Sequence, residues 1–420
     1  MRNALSLMPV SRPEDKLLLC CARTSRSPET ADRIKALLRE GIDWEHLLQA
    51  ANAHGVAPLL YWHLDAVCPK AVPKNILDHL RDHFRANGLR NLFLTGELLK
   101  LLNVFGAHGI PAVPYKGPAL ADSVYGNLAF RQFIDLDIMV RRHDVPRARE
   151  LLASLGYRSQ HRLTDAQEAA LLESRCEFAF TRDDGKSIVE LVWDVTEHFS
   201  FPLEPEHLWS RLEQIPLGGD IVSALSPEDM LLILCAHGSQ HLWERLAWIC
   251  DIAELINVGQ DMRWEQALAQ ARRLGGERML LIGLFLANEL LGAALPDKVL
   301  QRVHGDPKVK AVARQICEQL FGEANGLAGL FEGAYFHPLH LKMKERLSDK
   351  IRYCIRAAAP QTLEDWELLS LPNFLFPFYH VLRSIRLVQK YGSRLLKMLA
   401  GTTKLKEGAR RTPMSSPPSS

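Results

Sequence analysis

The stretch Arg131-Gln-Phe-Ile-Asp135-Leu-Asp137-Ile-Met-Val140 decides how this chain is read. Two aspartates alternate with apolar residues, and on a strand residues i and i+2 share a face. Asp135 and Asp137 therefore point the same way, and Ile134, Leu136 and Ile138 are expected to point into the core. Aspartate is depleted in strands, and two carboxylates on one face repel each other unless a cation sits between them. Hard divalent cations such as Mg2+ take one or two carboxylates together with phosphate oxygens. The pattern suits metal-assisted chemistry on a phosphate; the alternative is a half-exposed strand carrying two solvated acids.

Upstream, Gly109-Ile-Pro-Ala-Val-Pro-Tyr115-Lys116-Gly117-Pro118 predicts a short strand near Ile110–Tyr115, a turn at Lys116-Gly117 and a helix with Pro118 in its first turn. Free backbone N–H groups at a helix start after a glycine can receive phosphate, and Lys116 adds a point charge for the same ligand. A third acid comes from Ser187-Ile-Val-Glu190-Leu-Val-Trp193-Asp194. Glu190 sits in an apolar, β-branched run, where an acid needs a partner; Asp194, beyond the run, is the weaker substitute. Between these segments an amphipathic helix is expected over Val145–Leu155 and a short strand over Cys176–Thr181.

The succession strand, Lys116-Gly117, helix, Arg131-x-x-x-Asp135-x-Asp137, helix, Gly156-Tyr157, strand, Glu190 resembles the bacterial group of uncharacterised nucleotidyltransferases, within the polymerase-β-like nucleotidyltransferase superfamily. The likeness continues outside this core. Ile42-Asp43-Trp44-Glu45 and His54-Gly-Val-Ala-Pro-Leu-Leu-Tyr61 resemble the group's N-terminal helical portion. Leu225-Ser226-Pro227-Glu228-Asp229 and His237-Gly-Ser-Gln-His241-Leu-Trp243 resemble its helical portion after the core.

The resemblance implies an α+β fold, with a small mixed β-sheet core flanked by N- and C-terminal helical regions. It implies Asp135, Asp137 and Glu190 as catalytic residues and metal ligands for two Mg2+ ions, Glu190 also orienting or deprotonating the attacking hydroxyl. Lys116, Gly117 and Arg131 would meet the nucleotide phosphates. The implied reaction moves a nucleotidyl group from an NTP to a hydroxyl acceptor (a small molecule, a sugar, an RNA end or a protein) and releases pyrophosphate. Two departures stand out. The turn reads Lys116-Gly117-Pro118 where Gly-Gly or Gly-Ser is usual, so Pro118 removes one N–H donor and Lys116 would compensate. Val192 stands where relatives often carry a histidine. These departures motivate an alternative, a catalytically lapsed binding or scaffold protein on the same fold.

Composition agrees with an ordinary globular protein. The 420 residues are 47% hydrophobic and 24% charged. A third reading is nucleic-acid modification guided by the basic C-terminal region; a net charge of +2 and the lack of an RNA- or DNA-binding motif weigh against it. Eight cysteines lie scattered without Cys-x-x-Cys spacing, which points to reduced thiols and a cytoplasmic setting. Leu5–Val10 is too short for a secretory leader, and Met279–Pro296, interrupted by Asn288 and Glu289, reads as a buried helix.

Four regions are expected: 1–100, helical after a poorly ordered start to residue 30; 101–220, the α/β core; 221–340, helical; and 341–420, basic with a disordered tail. Helices are expected to open at Thr30, Asn91 and Ser226. His237 and His241, four apart, share a helix face. They would line the cleft, pack between layers, or bind zinc together with Asp251. Residues 340–411 hold 15 Lys or Arg against 6 Asp or Glu. Within them Arg383, Arg386, Lys390, Arg394 and Lys397 form a basic stripe on an expected helix, Val381–Leu399. That helix would dock on its own protein or touch an anionic membrane surface weakly.

Overall fold

The architecture comes from a computed structural model that describes residues 11–159, 172, 176–195, 203, 205–259, 261–322 and 337–358. The chain divides into two compact units, Met1–Ile351 and Arg352–Ser420. Of the second, residues 352–358 alone are described, and they are helical. The basic stripe over 381–399 and the C-terminal tail lie outside the described residues.

Within the first unit an α+β fold is built as expected. Seven strands are described: β1 (Ala112–Pro114), β2 (Asp135–Val140), β3 (Tyr157–Ser159), β4 (Glu177–Arg182), β5 (Ile188–Val192), β6 (Glu213–Leu217) and β7 (Asp220–Ala224). The first five form one mixed sheet in the order β1-β2-β5-β4-β3. β2 runs parallel to β5, and every other neighbouring pair in that sheet is antiparallel. The parallel pair sets Asp137 opposite Glu190 and Asp135 opposite Ile188. Leu136 and Ile138, on the other face, are wholly buried. Ile134 departs from expectation: it is 61% exposed, because the strand begins only at Asp135 and Ile134 belongs to the loop that leads into it. The β6–β7 hairpin, not anticipated from sequence, forms a separate two-stranded sheet.

Helices frame the sheet. The expected start at Thr30 falls at Pro28, where the Ser27 side chain accepts from the Thr30 N–H. The start expected at Asn91 lies inside a single 34-residue helix, Lys74–Ala107. Gly88 and Gly96 do not break it, since burial of Leu80, Leu94, Leu98, Leu101 and Phe105 along one side outweighs the roughly 1 kcal/mol helix cost of each glycine. Part of the expected disordered start is also ordered. Residues 13–21 form a helix whose Leu17 and Leu18 are wholly buried, and apolar burial offsets the cost of ordering them.

The later helices pack around Glu277–Leu291, which is apolar on all sides and buried over nearly its whole length, as a central helix must be. Ser226 caps the helix Pro227–Gln240. That helix ends in a tight turn where Leu242 and Trp243 both adopt left-handed backbone, φ 55° and 59°, a conformation bulky residues hold only when packing over-determines it. The packing here is the Trp243 ring, wholly buried between two glycines. A Cβ at Gly238 would stand 2.5 Å from that ring, and one at Gly283 would stand 3.0 Å from it.

Among the described residues no helix is long and apolar enough to cross a membrane.

Gly238→Ala tests the wedge. The added methyl has no room, so it should destabilise the fold by about 1–3 kcal/mol through overpacking. Thermal denaturation should show a lowered midpoint, whereas an unchanged midpoint would mean that the Trp243 ring has space to move.

Candidate active site

Sheet register determines which side chains share the site. On one face, Asp135 and Asp137 of β2 lie beside Glu190 of β5, and Glu177 of β4 follows one row further on, diagonal to Glu190. Asp137 is 5% exposed. Lys116 approaches them from the end of β1, as the residue preceding the helix Gly117–Ser123. Its Nζ stands 3.4 Å from Asp137 Oδ1 and 3.5 Å from His237 Nδ1. Gly117 is left-handed at φ 52°, and a Cβ there would come within 3.3 Å of the Asp135 carbonyl oxygen. The Lys116-Gly117 turn is thus pressed against the start of β2, which explains why glycine is required at that position.

The electrostatics follow from crowding like charges at the edge of a protein interior. Burial and then the neighbouring carboxylates of Glu177, Asp137 and Asp135 push Glu190 from 4.5 up to about 8. Asp135 is also raised, by burial and by Asp137. Burial alone would pull the Lys116 ammonium down, but Asp137, Glu177, Glu190 and Asp135 more than reverse it, so Lys116 stays charged. His237 lies well below the ordinary imidazole value because it is buried and Lys116 lies against it; it is neutral at pH 7. Since an ammonium only donates, His237 Nδ1 accepts from Lys116.

Arg131 takes a different place. Its Nε and Nη2 donate to the two oxygens of Asp251 at 2.8 and 2.9 Å, and Tyr125 Oη donates to Asp251 at 2.6 Å. The guanidinium therefore ties the loop before β2 to the helix Leu246–Val258. The zinc alternative for His237, His241 and Asp251 falls with this finding, because Asp251 is occupied by Arg131 and Tyr125. The His237 and His241 rings lie 4.6 Å apart and both pack on Trp248, at 5.4 and 5.2 Å. His237 reaches the site through Lys116. His241 stands beside it at an exposed position.

Four contributors escape sequence reasoning. Glu177 opens a strand and gave no local sign of facing Glu190. Asn87, Arg90 and Asn91, on the long helix Lys74–Ala107, hold the loop that delivers β2. Asn87 Nδ2 donates to the Ala129 and Arg131 carbonyls, Asn91 Nδ2 to those of Leu128 and Arg131, and Arg90 to that of Phe133. The signal available was the spacing that puts Asn87 and Asn91 on the apolar side of the helix with Leu80, Leu94 and Leu98, where a polar side chain needs partners.

Among the described residues, no three His, Cys, Asp or Glu side chains stand already grouped to hold a metal ion. The donor chemistry nevertheless fits a hard divalent cation. The acids offer carboxylate oxygens of the kind Mg2+ takes, and the elevation of Glu190 records negative charge that a cation would relieve.

A family model described as uncharacterised nucleotidyltransferase matches residues 40–292. The chain is also similar to a solved structure, an antigenic nucleotidyltransferase-like protein from Paracoccidioides brasiliensis, at 16% identity over 50% of this chain and 96% of that one, with a TM-score of 0.30. No curated protein matches.

Two measurements probe the charge layout. Glu190 carries a raised folded-state pKa, so between about 4.5 and 8 the unfolded chain is ionised there while the folded chain still holds the proton. The folded state binds more protons in that window, and stability must fall as pH rises through it. Glu190→Gln should remove that part of the fall: its stability relative to the unsubstituted chain should be unchanged near pH 4.5 and higher at pH 8, read by denaturation at each pH. Asp251→Asn leaves a buried guanidinium without its counter-charge and should cost about 3–5 kcal/mol. A loss well under 1 kcal/mol would show that the Arg131–Asp251 pair is dispensable.

Proposed function

The chain belongs to the family of uncharacterised nucleotidyltransferases, and from that premise we propose that it is a Mg2+-dependent enzyme transferring a nucleotidyl group from an NTP to a hydroxyl acceptor. One observation carries the reading: the parallel β2–β5 pair sets Asp137 beside Glu190, with Asp135 on the same face and the Lys116 ammonium 3.4 Å from Asp137. Three acids sharing one sheet face, with a lysine ammonium beside them, are the groups such a transfer needs. The catalytic core would be 101–220, framed by helical regions 1–100 and 221–340.

In the proposed reaction the acceptor oxygen attacks the α-phosphorus. A new O–P bond forms, the bond from the α-phosphorus to the oxygen bridging the α- and β-phosphates breaks, and pyrophosphate leaves with that oxygen. Bound Mg2+ would supply charge neutralisation for the phosphates, held by Asp135, Asp137 and Glu190. The chain's own residues do the rest. Lys116 meets phosphate oxygens, replacing the donor that Pro118 removes. Gly117 lets the turn approach closely. Glu190 is the group that would orient the acceptor hydroxyl and, once a bound cation has displaced its own proton, receive the hydroxyl's. Arg131 is bound to Asp251, so its part is to hold the loop before β2 rather than to touch phosphate.

The test is nucleotide binding with and without Mg2+, followed by incubation with labelled NTPs and cell extract to find the acceptor. Mg2+ should tighten NTP binding, and Asp137→Asn should abolish that gain while the fold survives. Label should pass to an acceptor from the α-phosphate and not from the γ-phosphate. NTP affinity indifferent to Mg2+ would refute the metal role, and metal-dependent binding without transfer to any component would favour a binding protein on this fold.

A further inference from the structure

Lys116 and Arg131, both largely buried, are held in contrasting ways. Arg131 is locked: two short charge-assisted hydrogen bonds, at 2.8 and 2.9 Å, run to both oxygens of one carboxylate. Lys116 is shared between two partners, Asp137 Oδ1 at 3.4 Å and His237 Nδ1 at 3.5 Å, both long for an ammonium hydrogen bond. Its backbone, by contrast, is firmly placed, because the next residue, Gly117, is pressed against the Asp135 carbonyl. A fixed backbone, a flexible four-carbon stem and two stretched contacts describe a charge that can be moved without disturbing the fold.

The position it holds is informative. Lys116 lies against the acid that sits at the centre of the cluster, and its positive charge offsets carboxylates that otherwise raise one another. An incoming divalent cation seeks those same oxygens and must first displace the ammonium from Asp137 Oδ1. A triphosphate changes this, because its oxygens offer Lys116 a new partner while bringing the metal. His237, neutral at the same point, accepts from the ammonium without competing for its charge.

We propose that Lys116 is a two-position cation: in the unliganded chain it occupies Asp137 and His237 and excludes free divalent metal, and it transfers to phosphate oxygens when a metal–triphosphate complex arrives. This rests on the function proposed above. Its consequence is an order of assembly. Metal alone binds weakly, metal and triphosphate bind cooperatively, and the acids are not open to adventitious cations between turnovers.

Mn2+ alone is the probe, its free concentration followed by electron paramagnetic resonance on the full-length protein. Lys116→Gln, which keeps a polar side chain but removes the charge, should bind Mn2+ about tenfold or more tightly than the unsubstituted chain without nucleotide. It should bind ATP more weakly. Lys116→Arg keeps the charge and should still exclude Mn2+, and Asp137→Asn added to Lys116→Gln should abolish the gain. Equal Mn2+ affinity in the unsubstituted and Lys116→Gln chains overturns the proposal, and if both still bind Mn2+–ATP the nucleotidyltransferase reading survives that failure. Conversely, tight Mn2+ binding by Lys116→Gln with no binding of Mn2+–ATP by the unsubstituted chain sinks the nucleotide reading and leaves the exclusion role standing. The unsubstituted protein gives a check that needs no variant. With a non-hydrolysable ATP analogue its complex should hold Mn2+ more tightly than either the protein or the analogue alone, and a simple additive response would overturn the proposal.

Discussion

The repulsion among Asp135, Asp137, Glu177 and Glu190 is the constraint around which the rest of the site is arranged. Carboxylates brought together in a partly buried place cost free energy, and a chain tolerates that only where the structure compels it. Here the compulsion is the parallel pairing of β2 with β5, which sets Asp137 directly opposite Glu190. The neighbouring features answer that charge: Glu190 takes up a proton well above the usual carboxylate range, and Lys116 keeps its charge despite burial.

Holding β2 in that register requires support from parts of the chain far away in sequence. The loop that precedes the strand is grasped from one side by Asn87, Arg90 and Asn91 of the long helix. From the other it is held by Asp251 through Arg131. The helix that carries Asp251 also meets the N-terminal helical region directly: the Ala247 N–H donates to the carbonyl of His54, which closes the helix Trp44–Ala53, and a Cβ at Gly55 would lie 3.2 Å from Ala247. This contact joins the motif around His54 to the one after His241, and gives a structural reason for both to accompany the acid strand. The strained turn at Leu242-Trp243, with Trp243 wedged between Gly238 and Gly283, closes the helix that carries His237, and the rings of His237 and His241 pack on Trp248.

Much of this was legible in local pattern. Alternation of Asp with apolar residues specified strand and face together, so the shared side of Asp135 and Asp137 needed no tertiary information. An acid in a β-branched run identified Glu190, and Ser226-Pro227-Glu228-Asp229 marked a helix start that the structure places at Pro227. Where pattern failed, the cause was a tertiary term overriding a local one. Ile134 looked like a core residue by alternation but precedes the strand and is exposed. Glycines at 88 and 96 concealed the unity of the 34-residue helix, and the ordering of residues 13–21 depends on burial against segments distant in the chain. Arg131 carried a motif position suited to phosphate, and only the approach of Asp251, 120 residues away, showed where its charge is spent.

By itself the sequence determined the chemistry available: three acids and a lysine placed on a strand–turn–helix–strand framework, with faces dictated by the two-residue period of a strand and by glycine's access to left-handed backbone at position 117. Only the tertiary structure decided how those groups are paired. Strand register, the diagonal approach of Glu177, the Lys116 contact with both Asp137 and His237, and the capture of Arg131 by Asp251 are all long-range. Electrostatic interactions depend on separation and on exclusion of water, and neither is set until segments remote in sequence have packed together.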